Sequence, residues 1–338
     1  MSDNVSDEKQ QQQMEEISIC ADVWLEVFAF VGLVELGLKI ALIDDRFDAL
    51  VDMHLKSRKW SLSWLDIRRA TDGNGAQIVK LSGEQLPIAQ GPVPGKVIGY
   101  NQIGISYVDQ SVIELLQSIR RLFDSAETNV YLATSSDQSR SWEIIRQKIW
   151  PLFNGNIYSL VLGPARLDCL RQFAPAILRN CPNLRSLSCY GLFPEFPAED
   201  NAGASSAQAV SKWLLTPRED DRPKMLFCFS AGKMEELKGA FVNALEPVNF
   251  IIRVRYSVIE PFELTNNSTG EQFIGGYDLL VRCPIGREEA KWREWQKEAC
   301  LWDFIFQPNY RMLIDFKDSD IGDGMLDAND AGPSEPKK

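Results

Sequence analysis

The chain has 338 residues, 45% of them apolar and 25% charged, with a formal net charge of −11. That composition is ordinary for a globular protein of one large or two modest domains. The acidic balance argues against a general nucleic-acid binder, whose surface must neutralise phosphates, and no apolar run approaches the roughly 20 residues of a membrane span.

Residues 1–16, MSDNVSDEKQQQQMEE, are polar and Gln-rich and are expected to be disordered. They lack the basic start and apolar stretch of a secretory signal. The seven cysteines are scattered and odd in number, with no Cys-x-x-Cys pair. Most stand in apolar contexts, as Cys228 does in LFCF, and read as buried free thiols of a reducing compartment, the cytoplasm or nucleus.

Residues 17–60 carry three short apolar clusters. The first is Val23, Trp24, Val27, Phe28 and Val31; the second Leu36, Leu38, Ile40, Leu42 and Ile43; the third Phe47, Leu50, Val51 and Leu55. Spacings of one, three and four predict short helices, each turning an apolar stripe inward. The segment is small for an independent core, so burial against a partner is plausible. Two readings are open: an ordinary three-helix cap on a larger fold, or a docking module.

The individual residues speak to the second. Ile19 and Asp22 stand where a Leu-Pro-x-Glu opening has its leucine and glutamate, with Cys20 at the proline position. Val23, Trp24, Val27 and Phe28 supply the first apolar turn, Leu33 and Leu36 the loop and second helix, and Leu42 and Ile43 that helix's inner face. An Arg46-Phe47 step precedes the last helix, and Trp60 closes the set. This pattern resembles an F-box, the adaptor-docking module of cullin-type ubiquitin ligases, over about 45 of 338 residues. The stretch WSLSWLDIRRATDGNGAQIVK looks like an expanded group of nematode F-box-like proteins. The resemblance implies a surface for a Skp-type adaptor and cullin complex made from Ile19, Cys20, Asp22, Trp24, Val27, Phe28, Leu33 and Leu36. A target protein, not identified by the sequence, would be held by the remainder.

Residues 61–96 read as a hairpin and a proline-rich connector. Leu62 to Arg68 and Ala76 to Leu81 are strand-like around the turn Thr71 to Gly75. Pro87, Pro92 and Pro94 make the connector stiff and extended.

Residues 97–258 alternate strand and helix. Strands centred on Ile105, Leu132, Leu160 and Leu187 recur at 27, 28 and 27 residues. Helical patterns between them carry Val112 to Phe123, then Trp142, Ile145 and Ile149, then Leu167, Leu170, Phe173 and Ile177, the last bent or split by Pro175. Such alternation predicts parallel strands with helical crossovers. The interval lies in the range of leucine-rich repeats, and Asn180 to Leu187 resembles their strand opening in F-box substrate receptors, without the ladder asparagine. The expected fold is therefore α/β (α+β overall): a three-helix F-box-like module, an irregular leucine-rich-repeat-like βα solenoid, and a mixed β/α unit at 259–317. A doubly wound open sheet is the alternative. A solenoid places all helices on one side, an open sheet on both.

Further along, Ala207 to Leu215 and Met234 to Leu245 read as helices, and Met225 to Phe229 and Phe250 to Val258 as strands. Residues 259–317 read as a hairpin turning at Asn266 to Gly270, a strand at Leu279 to Cys283, a helix at Arg287 to Trp302 and a strand at Arg311 to Phe316. On that helix Trp292, Trp295, Ala299 and Trp302 share a face, which reads as core before it reads as a recognition surface. Residues 318–338 read as an unfolded acidic tail.

Chemistry-bearing motifs are weak. The single histidine, His54, is the only candidate for a histidine-based triad and sits in the last helix of the 17–60 segment, partner-facing or half-buried. Gly91-Pro92-Val93-Pro94-Gly95-Lys96-Val97 is one residue short of a phosphate loop and its prolines remove amide donors. DSDIGDGMLDAND has Asp318 and Asp320 as a calcium loop would, but Gly322, Asp323 and Asn329 break the ligand pattern. The carboxylate pairs Glu199-Asp200 and Asp220-Asp221 lie in polar loops. The expectation is therefore a non-catalytic substrate receptor without cofactor or metal. An interaction scaffold without ligase activity and an enzyme with an unrecognised site remain as alternatives.

Overall fold

The computed structural model describes residues 19–32, 35–54, 60–88, 97–124, 127–301, 310–323 and 325. The chain divides into two units, Met1–Arg58 and Lys59–Lys338.

In the first unit, helix α1 spans Ala21–Phe28 and follows Cys20, whose backbone is extended and whose side chain makes no cap. The Arg46 guanidinium donates to the Ile19 carbonyl at the start of this helix. A π-helical turn covers Leu36–Ile40 and helix α2 covers Asp45–His54. Asp44 caps α2 by accepting from the Phe47 amide at 2.8 Å, and Asp45 and Asp48 complement the dipole of its first turn. The interior is aromatic and aliphatic. Trp24 meets Phe47 edge-on at 4.9 Å and Phe28 meets His54 at 5.8 Å, while Phe28, Leu36, Ala41, Leu50 and Val51 are buried. Trp60, read as the closing residue of this segment, is instead the first residue of a strand of the second unit. Leu33 and Leu55 lie outside the described residues.

The second unit is mixed α/β. Strands β1 (Trp60–Arg69) and β2 (Ala76–Lys80) form the expected antiparallel hairpin, with Gly73 and Gly75 at positive φ in its loop. Pro87, expected in the connector, instead ends a third strand β3 (Gln85–Pro87) paired antiparallel with β2. There follow β4 (Val97–Ile105), β5 (Thr128–Leu132), β6 (Ile157–Leu162), β7 (Ser186–Cys189), β8 (Lys224–Cys228) and β9 (Phe250–Val254). Then come β10 (Ile259–Asn266), β11 (Glu271–Tyr277), β12 (Leu279–Pro284) and β13 (Arg311–Ile314). They join in one 13-stranded sheet of order β10-β11-β12-β9-β8-β7-β6-β5-β13-β4-β1-β2-β3. The run from β1 to β9 is parallel throughout, and antiparallel strands finish both edges.

Helices α3 (Gln110–Ser118) and α4 (Arg120–Asp124) link β4 to β5. Helix α5 (Ser139–Ile144) runs on as a π-helical turn, Ile145–Ile149, before β6. Helices α6 (Pro164–Phe173), α7 (Ser206–Leu214) and α8 (Met234–Val242) serve the next three crossovers, and α9 spans Glu289–Leu301. Local chemistry sets several starts. Asp109 accepts from the Val112 amide at 3.1 Å, Ser205 and Gln208 form a reciprocal capping box, and Pro164 occupies the first turn of α6. Helix α6 stops at Phe173, before Pro175, so Ile177 belongs to the turns beyond it rather than to a bent helix.

Register divides the sheet into two faces of different chemistry. One row runs Leu65, Ile103, Met312, Val130, Leu160, Leu187, Leu226, Ile252, Leu280, strand by strand across the sheet, and every member is buried. From β4 to β9 the parallel strands advance in one direction across the sheet, the order in which crossovers of one hand lie over a single face. Helix α9 lies on the other face, where Trp292 and Ala299 pack with Val161, Met225, Phe227, Ile251, Val281 and Cys283.

The leucine-rich-repeat-like solenoid is therefore corrected to an open mixed sheet. In a solenoid each repeat touches only its neighbours in sequence. Here β13 inserts between β4 and β5, pairing Met312 with both Ile103 and Val130. Residues 259–317 are likewise no separate unit, because β12 pairs with β9 and β13 sits mid-sheet. The reading of an unfolded tail from residue 318 is also corrected at its start. Asp318–Asp320 form a 3-10 turn, Asp318 accepts from the Ser141 amide at 2.8 Å, and Val108 and Ile321 form a parallel bridge. Residues 1–16 and the connector around Pro92 and Pro94 lie outside the described residues.

Candidate functional site

The residues expected to meet an adaptor separate into two groups. Phe28 and Leu36 are buried, at 1% and 0% exposure, and Trp24 is half-buried against Phe47. Ile19, Cys20, Asp22 and Val27 are accessible. Two neighbours outside the expected binding set join them: Val23, 46% exposed, and Phe30, 92% exposed. Ile19, Val23, Val27 and Phe30 succeed one another at spacings of four, four and three, which lines them up along one side of α1 and its ends. A lone exposed apolar residue needs no explanation, but a row of four at helical spacing marks a surface that gains from being covered. Its signal was visible in the sequence, since the stripe opposite Phe28 is as apolar as the buried one.

In the second unit the sheet face that carries α9 changes character along its width. Two register rows cross it. The first runs Trp64, Gln102, Arg311, Asn129, Ser159, Ser186, Met225, Ile251, Val281, and the second Asp66, Gly104, Leu313, Tyr131, Val161, Ser188, Phe227, Arg253, Leu279. The half from β8 to β12 is mainly apolar and lies under α9; the half from β1 to β7 is mostly polar. A central parallel sheet is ordinarily apolar on both faces. Here the Arg311 guanidinium lies 4.4 Å from the Trp64 ring centroid, and the buried hydroxyls of Ser159, Ser186 and Ser188 have no hydrogen-bond partner among the described residues. The polar side of β7 was not among the expectations, although the alternation Ser186-Leu187-Ser188-Cys189 was a signal for it.

Three clefts open at the amino ends of β6 to β9, with volumes of about 440, 330 and 290 Å³, and Arg218 lines all three. Its guanidinium is already engaged: Nε and Nη2 each donate to Asp220 at 2.8 Å. The largest of these three brings Arg222, Arg287 and Lys291 beside Trp292 and Trp295. So one tryptophan of the expected core face is core, and its neighbour, half-buried, borders solvent.

The middle cleft holds the most perturbed cation. Lys224, the first residue of β8, is 5% exposed and donates from Nζ to the Trp213 carbonyl. Burial, helped by the nearby charge of Arg218, pulls its amine down from 10.5 to about 7. Across the same cleft, burial pushes the Cys181 thiol up to about 12, which keeps it an inert thiol. Lys224 was not among the expected site residues, although a lysine heading the buried run Met225-Leu226-Phe227-Cys228 was a signal for it.

His54 is half-buried against Phe28 rather than near a nucleophile. Asp318 and Asp320 serve their own turn and α5. Glu199 accepts from Asn201 and Asp200 pairs with Arg179. Among the described residues no group of three or more His, Cys, Asp or Glu is placed to hold a metal ion, and no helix is long and apolar enough to cross a membrane. No protein-family model, curated protein or solved structure matches this chain.

Proposed function

We propose that the chain is an F-box-like substrate receptor, joining a target protein to a Skp-type adaptor and cullin ubiquitin ligase. The helical unit docks on the adaptor and the α/β unit holds the target. The receptor contributes proximity, raising the local concentration of target lysines at the transfer enzyme. The observation that carries this reading is the uncovered stripe Ile19, Val23, Val27 and Phe30 on the small helical unit Met1–Arg58. It also refines the docking surface. Phe28 and Leu36, being interior, hold the unit together, while Val23 and Phe30 take their place toward the adaptor. The Arg46 contact to Ile19 supports the same reading, because it holds the start of the stripe in place.

The test is reconstitution with adaptor and cullin. Wild-type chain is expected to co-purify with both, and Val27→Asp together with Phe30→Asp to abolish recovery while far-UV circular dichroism is unchanged. Absence of adaptor binding by the wild type, or binding untouched by the double substitution, overturns the proposal.

A second reading rests on Cys20, exposed at the position where the family carries proline. Here the stripe binds a partner without productive ubiquitin transfer. In vitro ubiquitination of co-purified targets separates the two: transfer excludes this reading, and adaptor binding without transfer supports it.

A further inference from the structure

We propose that Lys224 is a carbonyl-capturing amine, and that the cleft at the amino ends of β7 and β8 admits a small uncharged aldehyde which condenses with its Nζ to an imine. Three structural facts carry this. Lys224 is a wall residue of a cleft of about 330 Å³, a volume suited to a small ligand. Its side chain is buried beside the Trp213 ring, 5.1 Å from the centroid, and among the described residues it forms no ion pair. Its one hydrogen bond among those residues is a donation to the Trp213 carbonyl.

A buried lysine without a carboxylate partner favours the neutral amine, which is how lysines that form Schiff bases are activated. Donation to a carbonyl leaves the nitrogen lone pair free. The depressed pKa of about 7 agrees with this environment. The charges of the cleft choose the class of aldehyde. Both guanidiniums that line it are taken by carboxylates of the protein: Arg218 by Asp220 at 2.8 Å and Arg179 by Asp200 at 3.0 Å. Neither guanidinium is left over for an anionic group, so the ligand is uncharged. In the reaction the Nζ lone pair forms a C–N bond to the carbonyl carbon, and the carbonyl oxygen leaves as water with the two amine protons. No oxidant or reductant takes part.

The test uses the folded full-length protein with glycolaldehyde as probe and cyanoborohydride to fix the imine, followed by peptide mapping by mass spectrometry. At pH 7.5 an ordinary lysine is only about 0.1% neutral. Lys224 is therefore expected to be labelled at least about tenfold faster than Lys291, whose side chain is 59% exposed. Its rate is expected to reach half its maximum near pH 7, where exposed lysines are still rising. Lys224→Met is expected to remove this adduct and leave the others unchanged. Glyoxylate, a charged aldehyde, is expected to label Lys224 more slowly than glycolaldehyde. Labelling of Lys224 no faster than Lys291 overturns the capture site, and faster labelling by glyoxylate overturns the uncharged ligand.

Discussion

Arg185 and Glu298 stand 113 positions apart in the chain and meet as a two-pronged ion pair, with Nη2 2.9 Å from Oε2. Arg185 immediately precedes β7 and is 2% exposed, and Glu298 lies on α9. The same guanidinium contacts the Tyr158 hydroxyl and donates from Nε to the Pro223 carbonyl at 3.2 Å. One planar cation therefore clasps α9 to the starts of three adjacent strands.

Removing Glu298 is predicted to leave that guanidinium buried without its counter-charge. Glu298→Ala should destabilise the second unit by about 1–3 kcal/mol, below the ~3–5 kcal/mol of a fully enclosed pair because the carboxylate is 38% exposed. Urea unfolding checks this through a lower midpoint at unchanged slope. A shift within experimental error would show that apolar packing alone seats α9.

Arg282 and Glu271 form the enclosed counterpart, with side chains 2% and 1% exposed and Nη2 2.6 Å from Oε2. Glu271 also accepts from the Val248 amide at 2.9 Å, and Arg282 donates to the Glu246 carbonyl at 3.0 Å. Either single substitution, Glu271→Ala or Arg282→Ala, is predicted to cost about 3–5 kcal/mol by stranding a buried charge. The double substitution should cost less than the sum of the two. A double-mutant cycle by denaturant unfolding measures the difference, and strict additivity would refute the coupling.

Lys224 gives a pH-dependent prediction whose sign comes from linkage. Its folded pKa lies below its unfolded one, about 7 against 10.5. Between those values the unfolded chain binds a proton that the folded chain does not, so the residue's contribution to stability rises with pH. The penalty is complete below pH 7 and absent above 10.5. Lys224→Met should therefore raise Tm at pH 6 and have little effect near pH 10.5. Thermal melts of both proteins at the two pH values decide it. A gain independent of pH would mean that the amine is not desolvated.

On the helical unit, stability and binding should separate. Phe28→Ala removes a buried ring and is predicted to cost about 3–5 kcal/mol. Phe30→Ala, two residues away and 92% exposed, should stay within about 0.5 kcal/mol. Hydrogen-exchange mass spectrometry of peptides from α1 and α2 in graded denaturant reports on this unit by itself, whereas fluorescence would sum Trp24 with eight other tryptophans. Equal losses from the two substitutions would contradict the division between core and stripe.

Short-range patterns were legible in the residues themselves. The spacing of Val112, Leu115, Leu116 and Ile119 foretold α3, the turn Thr71 to Gly75 foretold the pairing of β1 with β2, and the recurrence from Ile105 to Leu187 foretold parallel strands with helical crossovers. These depend on neighbours within one element or one crossover, where side-chain periodicity speaks directly. Tertiary structure alone decided the rest. The apolar run Met312-Leu313-Ile314 is too short to fix a strand's place in a sheet, so only pairing with β4 and β5 put it mid-sheet and excluded a solenoid. Likewise, about half a helical turn separates the buried Phe28 from the exposed Phe30. The burial of Lys224 is set by Trp213, eleven residues away, and by a cleft no local pattern encodes.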